Sequence, residues 1–207
     1  MSRIAPVACT AVILAAGKGT RFDAEGRQQK LLAFLPSGNR VAAQTAALYN
    51  SVFARVIAVV RPEQQELIAL FAEAGCEIVD CASAEKGMGH SLAAGVAAAE
   101  HSASVMIALA DMPFIQTNTL QMLAQLSTDE PRIVQPQFQA QPGHPVRFPA
   151  ALYPHLKALE GDQGARALLR SFPVLQVPVT DAGVVQDIDF PADLQMACGK
   201  NSNSKFP

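Results

Sequence analysis

The chain has 207 residues, half of them apolar, with 16% charged and a formal net charge of −2. This length suits one domain that buries roughly 70% of its unfolded surface, so no disulfide or metal staple is required. The charge balance excludes the basic field of a nucleic-acid binder, and a charged fraction below the usual ~25% implies a surface rich in Gln, Ser, Thr and Asn, or one partly covered by a partner.

The N-terminal segment Val7–Ala16 is apolar and follows Arg3, an outline that imitates a signal peptide. A single positive charge, and the interruption by Cys9 and Thr10, favour a buried strand over Ala8–Leu14 instead. A helix is predicted over Val41–Asn50. Arg55–Val60 reads as a second buried strand, stopped by Pro62. Glu63–Ala74 reads as an amphipathic helix with Leu67, Ile68, Leu70, Phe71 and Ala74 on one face, ended by Gly75 in the C-cap region. Glu77–Asp80 is a short third strand. Ser91–His101 is a helix of small residues suited to close packing on a sheet, Ser104–Ala110 a fourth strand, and Thr117–Ser127 a helix with Asn118 as its N-cap. This alternation predicts a mostly parallel sheet with helices on both faces, an α/β Rossmann-like architecture.

After Pro131 the rhythm breaks. Arg132–Pro136, Val146–Phe148 and Val174–Val179 read as strands, Tyr153–Leu159 and Gly164–Ser171 as short helices, and an antiparallel strand is expected among them. The chain is thus expected to form one domain, with a regular βα half over about 8–130, an elaborated half over about 131–194, and a loose tail over 195–207. Cys9, Cys76, Cys81 and Cys198 show neither a zinc spacing nor a disulfide framework, which fits a reducing cytoplasm. No run reaches the ~18 apolar residues of a membrane span.

The stretch from Leu14 to Phe22, LAAGKGTRF, follows the first strand directly. A Walker loop fails on it, because Val12 stands where the first glycine belongs and Gly19 where Ser or Thr belongs. A dinucleotide fingerprint fails as well: Phe22 replaces the third glycine, and the second strand is followed by Arg61 and Pro62 rather than an acid. A third reading is a loop that wraps a nucleoside triphosphate with the backbone N–H groups of Ala15, Ala16, Gly17 and Gly19, an anion nest flanked by Arg21 and Lys30. A glycine-rich turn with two surface cations is the plain alternative.

Leu14-Ala15-Ala16-Gly17, Gly19 and Arg21, then Lys30 before Leu31-Leu32, resemble the signature of the nucleotidyltransferases, and more narrowly of the molybdenum cofactor cytidylyltransferases. The resemblance continues in order through Gly87-Met88-Gly89-His90-Ser91-Leu92, Leu109-Ala110-Asp111-Met112-Pro113, Gly143-His144-Pro145-Val146, Gly161-Asp162-Gln163-Gly164-Ala165-Arg166 and Asp187-Ile188-Asp189. It covers about Ala8 to Leu194. One departure is the insertion Asp23–Gln29 ahead of Lys30, which makes Lys18 and Arg27 competitors for the lysine's work.

The resemblance implies a nucleotide-diphospho-sugar transferase-like fold and transfer of CMP from CTP to the terminal phosphate of molybdenum-bound molybdopterin. It implies Arg21 and Lys30 as catalytic cations on the triphosphate. Nucleotide contacts would come from Leu14, Ala15, Ala16, Gly17, Lys18, Gly19, Gly89 and Ser91, with the glycines near Ser91 letting the backbone approach a base. Asp111 and Asp189 are implied as ligands of Mg²⁺, with Mn²⁺ as a substitute; strand alternation sets Asp187 beside Asp189 and Ile188 opposite. Asp111 as a helix cap and Ser91 as an N-cap are the plain alternatives. His144, Asp162 and Gly164 are implied on the acceptor side. The methyl of Ala16, where GTP-using relatives carry glycine, narrows the base pocket in favour of CTP. Rival readings are another acceptor, such as a sugar phosphate or methylerythritol phosphate, a guanylyltransferase using GTP, and a non-catalytic carrier delivering cofactor to a client molybdoenzyme.

Overall fold

The computed structural model describes residues 9–17, 19, 22, 29–127, 130–162 and 164–198. Eight strands form one sheet in the order β3-β2-β1-β4-β7-β5-β6, with β8 paired to β5. The first half supplies β1 (Cys9–Leu14), β2 (Val56–Val60), β3 (Glu77–Asp80) and β4 (Ser104–Leu109), all in parallel register. The second half supplies β5 (Ile133–Phe138), β6 (Gln141–Pro142), β7 (Val146–Pro149) and β8 (Val174–Pro178). β7 runs antiparallel to β4, the antiparallel element expected beyond Pro131.

Alternation along β1 and β2 divides the core into two layers. Ala11, Ile13, Ala58 and Val60 face Ala42, Ala46 and Tyr49 of α1 (Val41–Asn50), Leu67 and Phe71 of α2 (Gln65–Glu73), and Leu120 and Leu123 of α4 (Thr117–Gln125). Val12, Leu14, Ile57 and Val59 face the other way, toward Leu92 and Val96 of α3 (Met88–Ala98), Leu156 of α5 (Tyr153–Lys157) and Leu168 of α6 (Arg166–Ser171). The small residues of α3 do bring it onto the sheet: a Cβ on Gly95 would lie 2.4 Å from Val12 Cγ1 and 2.9 Å from Val59 Cγ2.

Several boundaries differ from the sequence reading for physical reasons. α3 begins at Met88, a turn before Ser91, because Gly87 supplies a cap at φ 132°. Ser91 is therefore inside the helix and not its cap. α4 is capped from a distance: the Gln116 N–H donates to Asp181 Oδ2 at 2.8 Å, whereas Asn118 accepts only from the adjacent Thr119 N–H. β5 continues past Pro136 to Phe138 and turns into β6 through Gln139 and Ala140, both at positive φ. That turn has none of the glycine or asparagine that usually marks a two-residue hairpin. The segment Pro191–Cys198 forms a 3₁₀ turn, and the rest of the expected tail lies outside the described residues.

Candidate active site

The parallel strands β1 and β4 end side by side, and the Ala110 N–H donates to the Leu14 carbonyl at 3.1 Å. A cavity of about 690 Å³ opens over these carboxyl ends, the edge where open α/β sheets hold ligands. Leu14, Ala15, Ala16, Gly17 and Gly19 form one wall. Gly19 takes φ 62°, and the Phe22 N–H closes the turn onto its carbonyl. A Cβ on Gly17 would meet nothing within 4 Å, so its backbone is open to a ligand.

Lys30 heads the 3₁₀ turn Lys30–Leu32, which is pinned by the buried Leu31. Its ammonium donates to Asp111 Oδ2 at 2.6 Å and to Asp189 Oδ1 at 3.1 Å. Burial pulls the Lys30 pKa down, but the Asp111 charge and the two hydrogen bonds outweigh it, and the pKa stands above that of an ordinary lysine. Asp111 lies just beyond β4 and faces Lys30. Helix α4 starts only at Thr117, so Asp111 does not cap it.

The segment carrying Asp187 and Asp189 is stitched to this point by the backbone. The Ile188 N–H donates to the Asp111 carbonyl at 2.9 Å, and the Ile188 side chain is fully buried. Alternation then sends Asp187 and Asp189 into the cleft. Asp193 Oδ2 accepts the N–H groups of both Asp189 and Phe190, at 2.9 and 2.7 Å, and holds the turn. Asp111, Asp187 and Asp189 offer carboxylate oxygens that all lie within 4.8 Å of one another. Partial burial, and then the Asp189 and Asp111 charges, raise the Asp187 pKa above the ordinary aspartate value.

The structure thus gathers Leu14, Ala15, Ala16, Gly17, Gly19, Lys30, Ser91, Asp111, Asp162 and Asp189 around one cavity. Lys18, Arg21 and Arg27 lie outside the described residues. Gly89, Gly164 and His144 do not line it. The Gly89 N–H donates to the Gly161 carbonyl at 2.8 Å, and a Cβ there would lie 2.8 Å from the Glu160 carbonyl oxygen. At Gly87 a Cβ would lie 2.3 Å from the Gly161 backbone. These glycines admit the backbone of the 160–162 turn, and Gly87 also lines the cavity. Gly164, at φ 53°, is buried beside Met88 Sδ. His144 is held behind the cleft by its own N–H to the Val184 carbonyl, with Nδ1 buried and unpartnered, and burial lowers its pKa.

Sequence reasoning underweighted Asp187 and passed over Met88 and Glu85; all three line the cavity, as does Arg166. Met88 and Arg166 stood inside quoted motifs. Glu85, on the 3₁₀ turn Ala82–Lys86, carried no signal at all.

The described MobA-like NTP transferase domain profile matches residues 11–177. The chain belongs to that family. It is 30% identical over 197 residues to purine catabolism protein PucB of Bacillus subtilis, covering 89% of this chain and 93% of that protein. It is 32% identical over 197 residues to nicotine blue oxidoreductase of Paenarthrobacter nicotinovorans, covering 87% and 91%. Rv0371c of Mycobacterium tuberculosis shares the fold, with a TM-score of 0.77 at 24% identity over 92% of this chain and 96% of that one. Its complex with manganese gives a TM-score of 0.67 at 24% identity over 83% and 87%. Membership of the MobA-like family makes this a nucleotidyltransferase-type enzyme of mixed α/β architecture. Among the described residues, no helix is long and apolar enough to cross a membrane.

Proposed function

We propose that the chain transfers CMP from CTP to the terminal phosphate of a molybdenum-bound molybdopterin, releasing pyrophosphate. The observation that carries this reading is the assembly of three carboxylates and Lys30 in one cavity with Ala15, Ala16, Gly17 and Gly19. A triphosphate carries about four negative charges, and nucleotidyl transfer relies on positioning and charge neutralisation. The described lining of the cleft holds Glu85, Asp111, Asp162, Asp187 and Asp189 against Lys30 and Arg166. Such an acid excess repels a polyanion unless a divalent cation stands between them.

The residues fit that cation. Asp111, Asp187 and Asp189 are hard oxygen donors close enough to share one ion, and Asp111 Oδ1 is buried without a hydrogen-bond partner. These three would hold Mg²⁺ or Mn²⁺, which neutralises and polarises phosphate oxygens when bound. The chain's own groups do the rest. The amides of Gly17 and Gly19 and the Lys30 ammonium grip the triphosphate and steady the departing pyrophosphate, and Arg21, outside the described residues, is assigned the second cation. An oxygen of the acceptor phosphate attacks Pα, the Pα–O bond to the β-phosphate breaks, and its electron pair leaves with pyrophosphate. Ser91, buried and at the cleft wall, faces the base or ribose.

The reading of CTP over GTP is supported by Ala16, which lines the cavity. Its methyl takes space that a purine needs. Molybdopterin as acceptor rests on the likeness of Gly143–Val146 and Gly161–Arg166 to pterin-handling relatives. A cytoplasmic site of action is part of this reading, and a client molybdoenzyme would receive the product. The test is pyrophosphate release by purified protein with each of CTP and GTP, crossed with molybdopterin, sugar phosphates and methylerythritol phosphate. Turnover is expected with CTP and molybdopterin; equal turnover with GTP removes the base assignment, and turnover on another acceptor alone removes the pterin assignment.

A further inference from the structure

Past Asp162 and Arg166 a second hollow of about 380 Å³ is lined by Asp162, Arg166, Ala167 and Arg170. Asp162 and Arg166 line the main cleft as well, so the two hollows share a border. Helix α6 carries Arg166 and Arg170 four residues apart, on one face and with a rise of about 6 Å between them.

These two guanidiniums differ from the rest. Arg40 pairs with Glu66, Arg55 with Glu77, Arg61 with Glu63 and Arg132 with Glu130. Arg147 donates to the Ala124 and Leu126 carbonyls. Arg166 and Arg170, alone among the described arginines, have no hydrogen-bonded or ion-paired partner. Like charges one helical turn apart repel, and the hollow offers one carboxylate, Asp162, against two cations. An anion placed between the guanidiniums relieves that repulsion, and their forked donors suit phosphate-like oxygens.

We propose that this hollow is a second anion subsite for the acceptor. Arg166, at the shared border, meets the acceptor's phosphate end, and Arg170 meets a further anionic group about 6 Å along the same molecule. The inference rests on the transferase reading and narrows its substrate class. A plain sugar monophosphate leaves Arg170 unused, whereas the anionic metal–dithiolene portion of a molybdopterin gives it a partner.

The test uses the full chain with Mg²⁺ and a saturating nucleotide, titrated calorimetrically with propylphosphonate or with propane-1,3-diylbisphosphonate. The bisphosphonate is expected to bind at least tenfold tighter. Arg170→Ala is expected to erase that preference and Arg170→Lys to keep part of it, with nucleotide affinity unchanged in both. Equal affinity for the two probes on the native chain, or a preference that survives Arg170→Ala, overturns the proposal. Nucleotide binding is read in a separate titration. A failure of the CTP assignment therefore shows there, and the phosphonate comparison is decided whichever nucleotide fills the cleft.

Discussion

Replacing Asp111 by Asn separates chemistry from scaffold. Asp111 Oδ2 lies 2.6 Å from Lys30 Nζ, with the side chains 19% and 14% exposed. Lys30 keeps Asp189 at 3.1 Å, and Asn retains the shape and one acceptor oxygen. The substitution also removes one of three crowded negative charges, which lowers the repulsion felt by Asp187. A fully buried ion pair stripped of one partner costs about 3–5 kcal/mol; partial exposure, the second partner and the relieved repulsion bring this down to about 1–2 kcal/mol. For a domain of this size, Tm then falls by about 2–8 °C. Turnover loses far more. The ion loses a charged ligand and the cleft loses the counter-charge of Lys30, together worth about 10³-fold, or roughly 4 kcal/mol of transition-state stabilisation. Pyrophosphate release is measured beside urea denaturation, with manganese affinity read by electron paramagnetic resonance. Native turnover or native manganese affinity in the variant refutes the carboxylate assignment, as does a loss of activity that tracks global unfolding.

Gly95→Ala forces a methyl into Val12 and Val59 of the central strands; overpacking of about 2–3 kcal/mol against roughly 1 kcal/mol of gained helix propensity predicts a net loss in urea denaturation, and a rise in Tm contradicts the α3–sheet contact. Gly87→Ala meets the Gly161 backbone and a φ of 132°, so it is expected to displace the 160–162 turn and raise the acceptor KM more than the CTP KM in steady-state kinetics. His144 has a folded pKa below its ordinary 6.5, so the folded chain binds fewer protons than the unfolded one below that pH, and stability falls as pH drops from 6.5 through the folded value. His144→Gln is expected to flatten this slope in urea titrations between about pH 4 and 7, and an unchanged slope assigns the acid sensitivity elsewhere.

The parallel half of the fold was legible because its strands are short apolar runs and its helices carry either a clean stripe, as α2 does, or small residues that fit against a sheet, as α3 does. That Leu14, Gly17, Gly19, Lys30, Asp111 and Asp189 share one cavity was legible from the ordered motifs that carry them. What stayed hidden depends on contacts between distant segments. Asp181 caps α4 across 65 residues, so the local choice of Asn118 was natural and incorrect. Gly87 and Gly89 declared a close approach but not by what, and the occupant is the backbone of the 160–162 turn. His144 sits in a quoted motif, yet its place behind Asp111 follows from one hydrogen bond to Val184. Arg170 lies outside every motif and gains meaning only from the hollow it shares with Arg166.

The two halves of the chain meet through main-chain hydrogen bonds, and those bonds set the reacting groups. Ile188 N–H to the Asp111 carbonyl brings the acidic pair to the end of β4. Gly89 N–H to the Gly161 carbonyl ties the start of α3 to the turn before α6. His144 N–H to the Val184 carbonyl fixes the segment that leads into β7. The first two bonds span the boundary between the regular βα half and the irregular extension, and the third lies within the extension. The backbone therefore contributes directly, beside the Lys30 ammonium, to holding the crowded carboxylates together. Removing their mutual repulsion by protonation or by a cation should then change charge more than shape. Asp193 tests this: it accepts two backbone N–H groups at the Asp189 turn and faces no substrate role here. If geometry is backbone-held, Asp193→Asn, which keeps an acceptor oxygen, retains manganese affinity while Asp193→Ala loses about tenfold, in the range of other groups that orient a metal ligand. Equal affinities in the two variants would mean that the ion, not the turn, sets the position of Asp189.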